Sequence, residues 1–99
     1  MKKIKKAEKN LSLEGIMRAL GDPVRLSVVL QLLASCGQEK ACGTFDYVVT
    51  KATFSHHLKI LHEAGITQNR QEGTRKLTSL RLKDLDKRFQ GLLEFLSKA

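Results

Sequence analysis

The sequence predicts a mainly α-helical fold with one small β-hairpin, and three observations support this prediction. Apolar residues recur at helical spacing in several separate segments of the 99-residue chain. Between residues 66 and 82, two short extended runs flank a glycine, which is typical of a β-hairpin. The length suits one domain whose core is only marginally stable alone, so pairing with a second copy would help to hold it together.

The first two helices are predicted from their apolar spacing and their end signals. Residues 1–9 are rich in lysine and are expected to form a flexible basic arm, which leaves 10–99 as the domain. Asn10 is a candidate cap for helix one, which Gly21 should end. Asp22 and Pro23 predict the start of helix two, because the carboxylate caps free N–H groups and proline needs no donor there. Helix two is apolar almost all round, is expected to be the centre of the core, and should end within 35–37.

The second half of the domain alternates between well-marked and poorly marked segments. Residues 37–50 mix polar and apolar residues without a clear period, and a short or irregular helix is expected there. Thr50 can cap a strong helix over 51–64 that Gly65 closes. The hairpin follows, and a single final helix is predicted from Asp84, with an apolar stripe through Leu85, Phe89, Leu92 and Leu96.

Charge narrows the classes of partner. The formal charge is +8 and the isoelectric point is about 9.8, which favours nucleic acid or an acidic membrane surface. No stretch approaches the roughly 20 apolar residues that cross a bilayer, and no continuous apolar signal segment follows the lysine-rich start. We therefore expect a cytoplasmic protein that does not insert into membranes.

Segment 50–65 is the most informative part of the chain. At about 100° per residue, Phe54, His57 and Leu61 fall on one face, which should pack inward. The opposite face carries small, polar and mostly non-acidic side chains, so it can enter the major groove of DNA closely. The solvated helix of an ordinary domain would look similar, and both interpretations stay open on spacing alone.

The hairpin adds a second candidate contact. Arg70, Arg75 and Lys76 flank its tip and could reach phosphates or the neighbouring minor groove. A solubilising turn is the alternative, and Glu72 weakens the positive field.

Several motifs resemble the ArsR-type family of winged helix-turn-helix repressors. They are Leu20-Gly21-Asp22-Pro23-Val24-Arg25-Leu26, then Phe54-Ser55-His56-His57-Leu58-Lys59-Ile60-Leu61, then Ala64-Gly65-Ile66, and the turn Glu72-Gly73-Thr74-Arg75. The resemblance covers about residues 11–97. It implies a winged helix-turn-helix fold, a recognition helix over 51–63, a hairpin wing, and repression by a homodimer whose first and last helices pair. Such a dimer would bind an inverted-repeat operator in double-stranded DNA.

These observations yield two sets of candidate residues. Those expected to contact DNA lie on the recognition helix and the wing: Lys51, Ala52, Thr53, Ser55, His56, Lys59, Arg70, Arg75 and Lys76. Within that set, Ser55 and His56 are expected to read bases, and the cations to hold phosphates. Those expected at the dimer interface are apolar: Leu13, Ile16, Met17, Leu20, Phe89, Leu92, Leu93 and Leu96.

No metal site, cofactor or catalytic centre is predicted. The chain lacks the Cys-x-Cys motif of metal-sensing ArsR-like proteins, and its last helix has no histidine. We expect His56 to face DNA and His57 to pack, with a hydrogen bond to backbone as one option. Cys36 and Cys42 could form a redox or soft-metal switch, although small buried thiols are the simpler interpretation. Any small-molecule or redox effector stays unknown.

Two other classes of function compete with DNA binding. An enzyme lacks a phosphate-cradling glycine loop, a metal-binding His-Glu pair and room for a deep pocket. A basic module that binds a protein or membrane surface is the better competitor, because the arm could attract acidic lipid and the last helix is amphipathic.

Overall fold

The computed structural model describes residues 12–35 and 38–98, so the predicted arm and Cys36 lie outside the described residues. Chain order gives the elements as α1 (Leu13–Leu20), α2 (Pro23–Ala34), β1 (Lys40–Ala41), a 3-10 turn (Cys42–Thr44), α3 (Lys51–Glu63), β2 (Thr67–Glu72), β3 (Arg75–Leu80), α4 (Leu82–Arg88) and α5 (Leu92–Ser97). The predicted mainly helical fold with a hairpin is confirmed. No helix in these ranges is long and apolar enough to cross a membrane.

The start of each of the first two helices is fixed by a side-chain cap. Ser12, rather than Asn10, caps α1, and its hydroxyl accepts a hydrogen bond of 3.0 Å from the Gly15 N–H. The predicted cap of α2 is confirmed, because the Asp22 carboxylate accepts from the N–H groups of Val24 and Arg25. The cap at Asp22 therefore fixes the residue at which α2 begins after α1 ends.

Helix α2 is the centre of the core, as its all-round apolar character predicted. It packs against α1, α3, α5 and β3. The most deeply buried apolar side chains are at most 1% exposed: Ile16, Val28, Val29, Leu32, Leu61 and Leu85. One helix therefore joins the first helix, the 51–63 helix and the last helix.

Within the described part of the chain the sheet has three antiparallel strands in the order β1-β3-β2, one more than predicted. The hairpin of β2 and β3 turns through Gly73 and Thr74, and Gly73 has a φ of 62°, which a residue with a side chain rarely adopts. Strand β1 pairs Lys40 with Thr78 and lies where a short or irregular helix was expected. Among the described residues 38–50 only the 3-10 turn is helical, so the prediction for 37–50 holds in part.

The single final helix predicted from Asp84 is wrong. The chain forms α4 and α5 instead, separated by Phe89, Gln90 and Gly91. Phe89 leaves helical geometry with φ −133°, and Gly91 has φ 86°, in the left-handed region. Apolar spacing continues through this break, because each short helix places an apolar side chain in the core, Leu85 from α4 and Leu96 from α5.

Candidate nucleic-acid interface

Helix α3 presents a polar face outward, as its spacing predicted. The Thr50 hydroxyl caps it by accepting from the Thr53 N–H at 3.2 Å. Phe54, Leu58 and Leu61 are buried on the inner side. The predicted contact residues on this helix are all exposed: Lys51, Ala52, Thr53, Ser55, His56 and Lys59. The outer face of α3 therefore carries small and polar side chains that are accessible to a ligand.

Aromatic packing fixes the first turns of α3. The Phe54 ring stacks on Tyr47 with centroids 3.9 Å apart and planes 8° apart, and Phe45 lies 5.7 Å away on a tilted plane. Phe45 and Phe54 are each no more than 5% exposed. The loop before α3 is thus fastened to the same end of the helix that carries Lys51 and Ser55.

The side chain of His57 takes part in a network that connects α1, α2 and α3. A hydrogen bond from His57 to backbone was one option in the sequence analysis, but the partners of its side chain are other side chains. Its Nδ1 lies 3.0 Å from Arg25 Nη1 and 4.0 Å from Asp22 Oδ1. Arg25 also donates through Nε to the Ala19 carbonyl oxygen at 2.7 Å. These contacts hold the end of α1, the start of α2 and the middle of α3 together. His57 therefore has a structural role and does not belong to the outer face of α3.

Asp22 is held ionised within this network. Partial desolvation would raise the pKa of Asp22, but hydrogen bonds from the Arg25 and Val24 N–H groups, with the nearby His57 and Arg25 charges, outweigh it and lower the pKa below its usual 3.8. A lowered pKa in the folded state stabilises the fold above the usual value, and this stabilisation is lost as the pH falls through the folded-state pKa.

We therefore expect Asp22→Asn to lower the free energy of unfolding at pH 7 and to make its loss below about pH 4 shallower. Urea unfolding at a series of pH values measures both effects. Asp86→Asn, at an exposed carboxyl group of α4, is the matched control and should keep the original pH dependence. Parallel pH profiles for Asp22→Asn and the unaltered chain would contradict this role.

A cleft lies between α3 and the hairpin. One part, of about 340 Å³, is lined by residues that include Ser55, Lys59, His62, Asn69 and Lys76. An adjoining part, of about 310 Å³, adds Lys51, Thr74 and Arg75. Among the described lining residues every charged group is a cation, so the cleft offers hydrogen-bond donors and positive charge to an anionic chain.

Arg70 stands apart from the other two wing cations. Its Nε and Nη2 each donate to Glu39 at 2.8 Å, and Glu72 lies 3.8 Å away. Hydrogen bonding to Arg70 outweighs partial desolvation and lowers the pKa of Glu39, while the same bond raises the pKa of Arg70. Sequence reasoning missed Glu39, because a partner 31 residues away leaves no local signal.

The predicted interface residues divide by burial. Leu13 and Met17 on α1 are 59% and 48% exposed. Leu20, Phe89, Leu92 and Leu93 are partly buried, and Leu96 is buried. Ile16 is 0% exposed within its own chain, so we correct its assignment from interface to core. Phe95, which was outside the predicted interface set, is 69% exposed on α5.

His62 and Cys42 both line the cleft. His62 Nδ1 is 3.3 Å from the Thr67 carbonyl oxygen. Cys42 is half-buried, with its sulfur 3.9 Å from the Thr78 hydroxyl oxygen. Within 12–35 and 38–98, no group of three or more His, Cys, Asp or Glu side chains is placed to share a metal ion.

Comparison with known proteins identifies the family. The sequence model of the family described as bacterial regulatory protein, arsR family, matches residues 22–68. These residues include α2, α3 and the start of β2. An uncharacterised HTH-type transcriptional regulator of Bacillus subtilis is 37% identical over 82% of each chain. An arsenical resistance operon repressor of Staphylococcus xylosus is 35% identical over 75% of this chain and 70% of its own length.

A further relative agrees with this assignment, and a solved structure agrees with the fold. An uncharacterised HTH-type transcriptional regulator of Methanocaldococcus jannaschii is 47% identical over 60% of this chain and 66% of its own. The crystal structure of an ArsR family transcriptional regulator matches 99% of this chain and 91% of its own, with a TM-score of 0.58 and 20% identity. The predicted winged helix-turn-helix fold is thereby confirmed. The chain therefore belongs to the ArsR family of bacterial regulatory proteins and is a helix-turn-helix transcriptional regulator.

Proposed function

We propose that the chain is a cytoplasmic repressor that binds an inverted-repeat operator as a homodimer. Helix α3 enters the major groove, and the hairpin contacts phosphates or the adjacent minor groove. The observation that carries this proposal is the continuity of the exposed face of α3 with the cationic cleft beside the hairpin. A sugar-phosphate strand lies between the two grooves of a duplex, so it can occupy this cleft while α3 reads bases.

Homodimer formation is supported by apolar surface on the first and last helices. Leu13, Met17 and Phe95 expose about half or more of their surface, and a second copy would cover them. Twofold pairing places two recognition helices about 34 Å apart, which is one turn of duplex. The operator is expected to repeat its half-site in inverted order at that spacing.

The first test is selection of bound duplexes from a random pool. The proposal expects one palindromic sequence to be preferred over random DNA by about a thousandfold or more, with affinity that falls steeply with salt. Acidic lipid vesicles serve as a control for non-specific attraction of a basic protein. Equal binding to every duplex, or preference for vesicles, would contradict the proposal.

Substitutions should then separate base reading from phosphate binding. Ser55→Ala and His56→Ala are expected to change the order of preference among operator variants, at a cost of about 1–3 kcal/mol for the best site. Arg75→Ala should weaken all duplexes alike and reduce the salt slope by about 0.9 for each phosphate that is no longer neutralised. Titrations of operator variants at several salt concentrations measure both effects. Uniform losses from all three substitutions would contradict this division of roles.

A further inference from the structure

We propose that Glu39 is a positioning residue that holds Arg70 away from the DNA backbone and so limits sequence-independent affinity. The inference rests on the proposed function, because it concerns how the wing meets DNA. Arg70 then supports the wing and does not bind phosphate. Glu39 becomes a residue that favours operator over random sequence.

The geometry of the pair is specific. Two guanidinium nitrogens of Arg70 each donate to a different carboxylate oxygen of Glu39 at 2.8 Å. Such a bidentate pair uses the planar donors of arginine in one fixed direction. Glu72 lies 3.8 Å from the same guanidinium, so two carboxylates surround one cation. By comparison, Arg75 lies 3.8 Å from the carboxylate of Glu72 and makes no bidentate pair with a carboxylate of the described residues.

Strand register explains how Arg70 and Glu39 come together. Arg70 stands opposite Leu77 in β3, and Leu77 stands opposite Ala41 in β1. Paired residues share a face of a sheet and residues two apart repeat it, so Arg70 and Glu39 meet across the central strand. Asn69 and Lys76 lie on the alternate face and line the cleft beside α3. Neither Arg70 nor Glu39 is among the residues that line the cleft, whereas Arg75 and Lys76 are.

The charge of Arg70 affects how strongly the protein prefers its operator over random DNA. Phosphate contacts supply most of the affinity for random DNA and carry no sequence information. A cation neutralised by its own chain is withheld from the phosphates. Releasing Arg70 would add sequence-independent affinity, whereas the base contacts proposed for α3 would be unchanged.

The test is a double-mutant cycle on the full chain with a duplex of random sequence. Glu39→Gln keeps the size of the side chain and removes its charge. It is expected to steepen the salt slope by about 0.9 per protomer and to raise affinity at 0.1 M salt by up to about eightfold for each phosphate that Arg70 then neutralises. In an Arg70→Gln background the same Glu39→Gln change should have no effect. Arg70→Gln alone should lower affinity less than Arg75→Gln does.

The cycle separates this inference from simpler accounts. A gain in affinity that persists in the Arg70→Gln background would mean that removal of a negative charge is sufficient, and it would overturn the inference. An unchanged salt slope for Glu39→Gln, in a chain that binds its selected operator, would overturn the inference and leave the proposed function intact. Failure of the unaltered chain to bind any duplex would overturn both. Thermal unfolding of each variant confirms that the fold is retained.

Discussion

Replacing Phe54 with alanine is expected to destabilise the chain by about 3–5 kcal/mol, because truncation of a buried aromatic leaves a cavity. Phe54 is 3% exposed, stacks on Tyr47 and packs near Phe45. Domains of this kind unfold with only about 5–15 kcal/mol, so the loss is a large fraction of total stability. Operator affinity should fall with it, since the same packing fixes the first turns of α3.

Urea unfolding and operator titration on the same preparations measure the two effects. Phe54→Leu is the matched control, because it keeps an apolar side chain and should retain much of the stability and binding that alanine loses. Thr53→Val, at the exposed neighbouring position, should leave the core unchanged. A Phe54→Ala chain as stable as the Phe54→Leu chain would show that the aromatic cluster does not anchor α3.

Replacing Phe95 with glutamate is expected to convert the proposed dimer to monomers. An aromatic anchor at an interface contributes about 2 kcal/mol or more, which corresponds to at least about a thirtyfold rise in the dimer dissociation constant. The charge adds a desolvation cost. Because Phe95 is 69% exposed in the single chain, the fold itself should tolerate the change.

Sedimentation at several protein concentrations measures the dissociation constant, and operator titration measures its consequence. Ser97→Glu places the same charge at another exposed position of α5 and should leave assembly unchanged. A monomer would read a half-site alone, so affinity for the inverted repeat should approach affinity for one half-site. A Phe95→Glu chain that remains dimeric would place the interface elsewhere.

Sequence reasoning was most successful where structure is dictated locally. Asp22 before Pro23 set the start of α2, and Thr50 set the start of α3, because each cap acts on N–H groups two or three residues away. The inner and outer faces of α3 followed from helical period alone. The exposure of the predicted DNA-contacting residues on this helix could therefore be predicted without knowing the rest of the fold.

Features that depend on distant partners were not predictable. Strand β1 has two residues, too few to show alternation, and exists because β3 offers it an unpaired edge. Arg25 and Glu39 acquired their roles only when folding brought His57 and Arg70 beside them. Ile16 has the same helical spacing as Leu13 and Met17, and only the placement of α2 decides which of them is covered.

The central position of α2 has a consequence for the geometry of the operator. Since this helix packs against α1, α3 and α5 together, and Arg25 and Asp22 contact His57 of α3, we expect the reading surface and the proposed dimer interface to move as one body. Such a body tolerates little change in half-site phasing. Each inserted base pair turns one half-site by about 35° around the duplex, and two are enough to carry it out of reach of the second protomer.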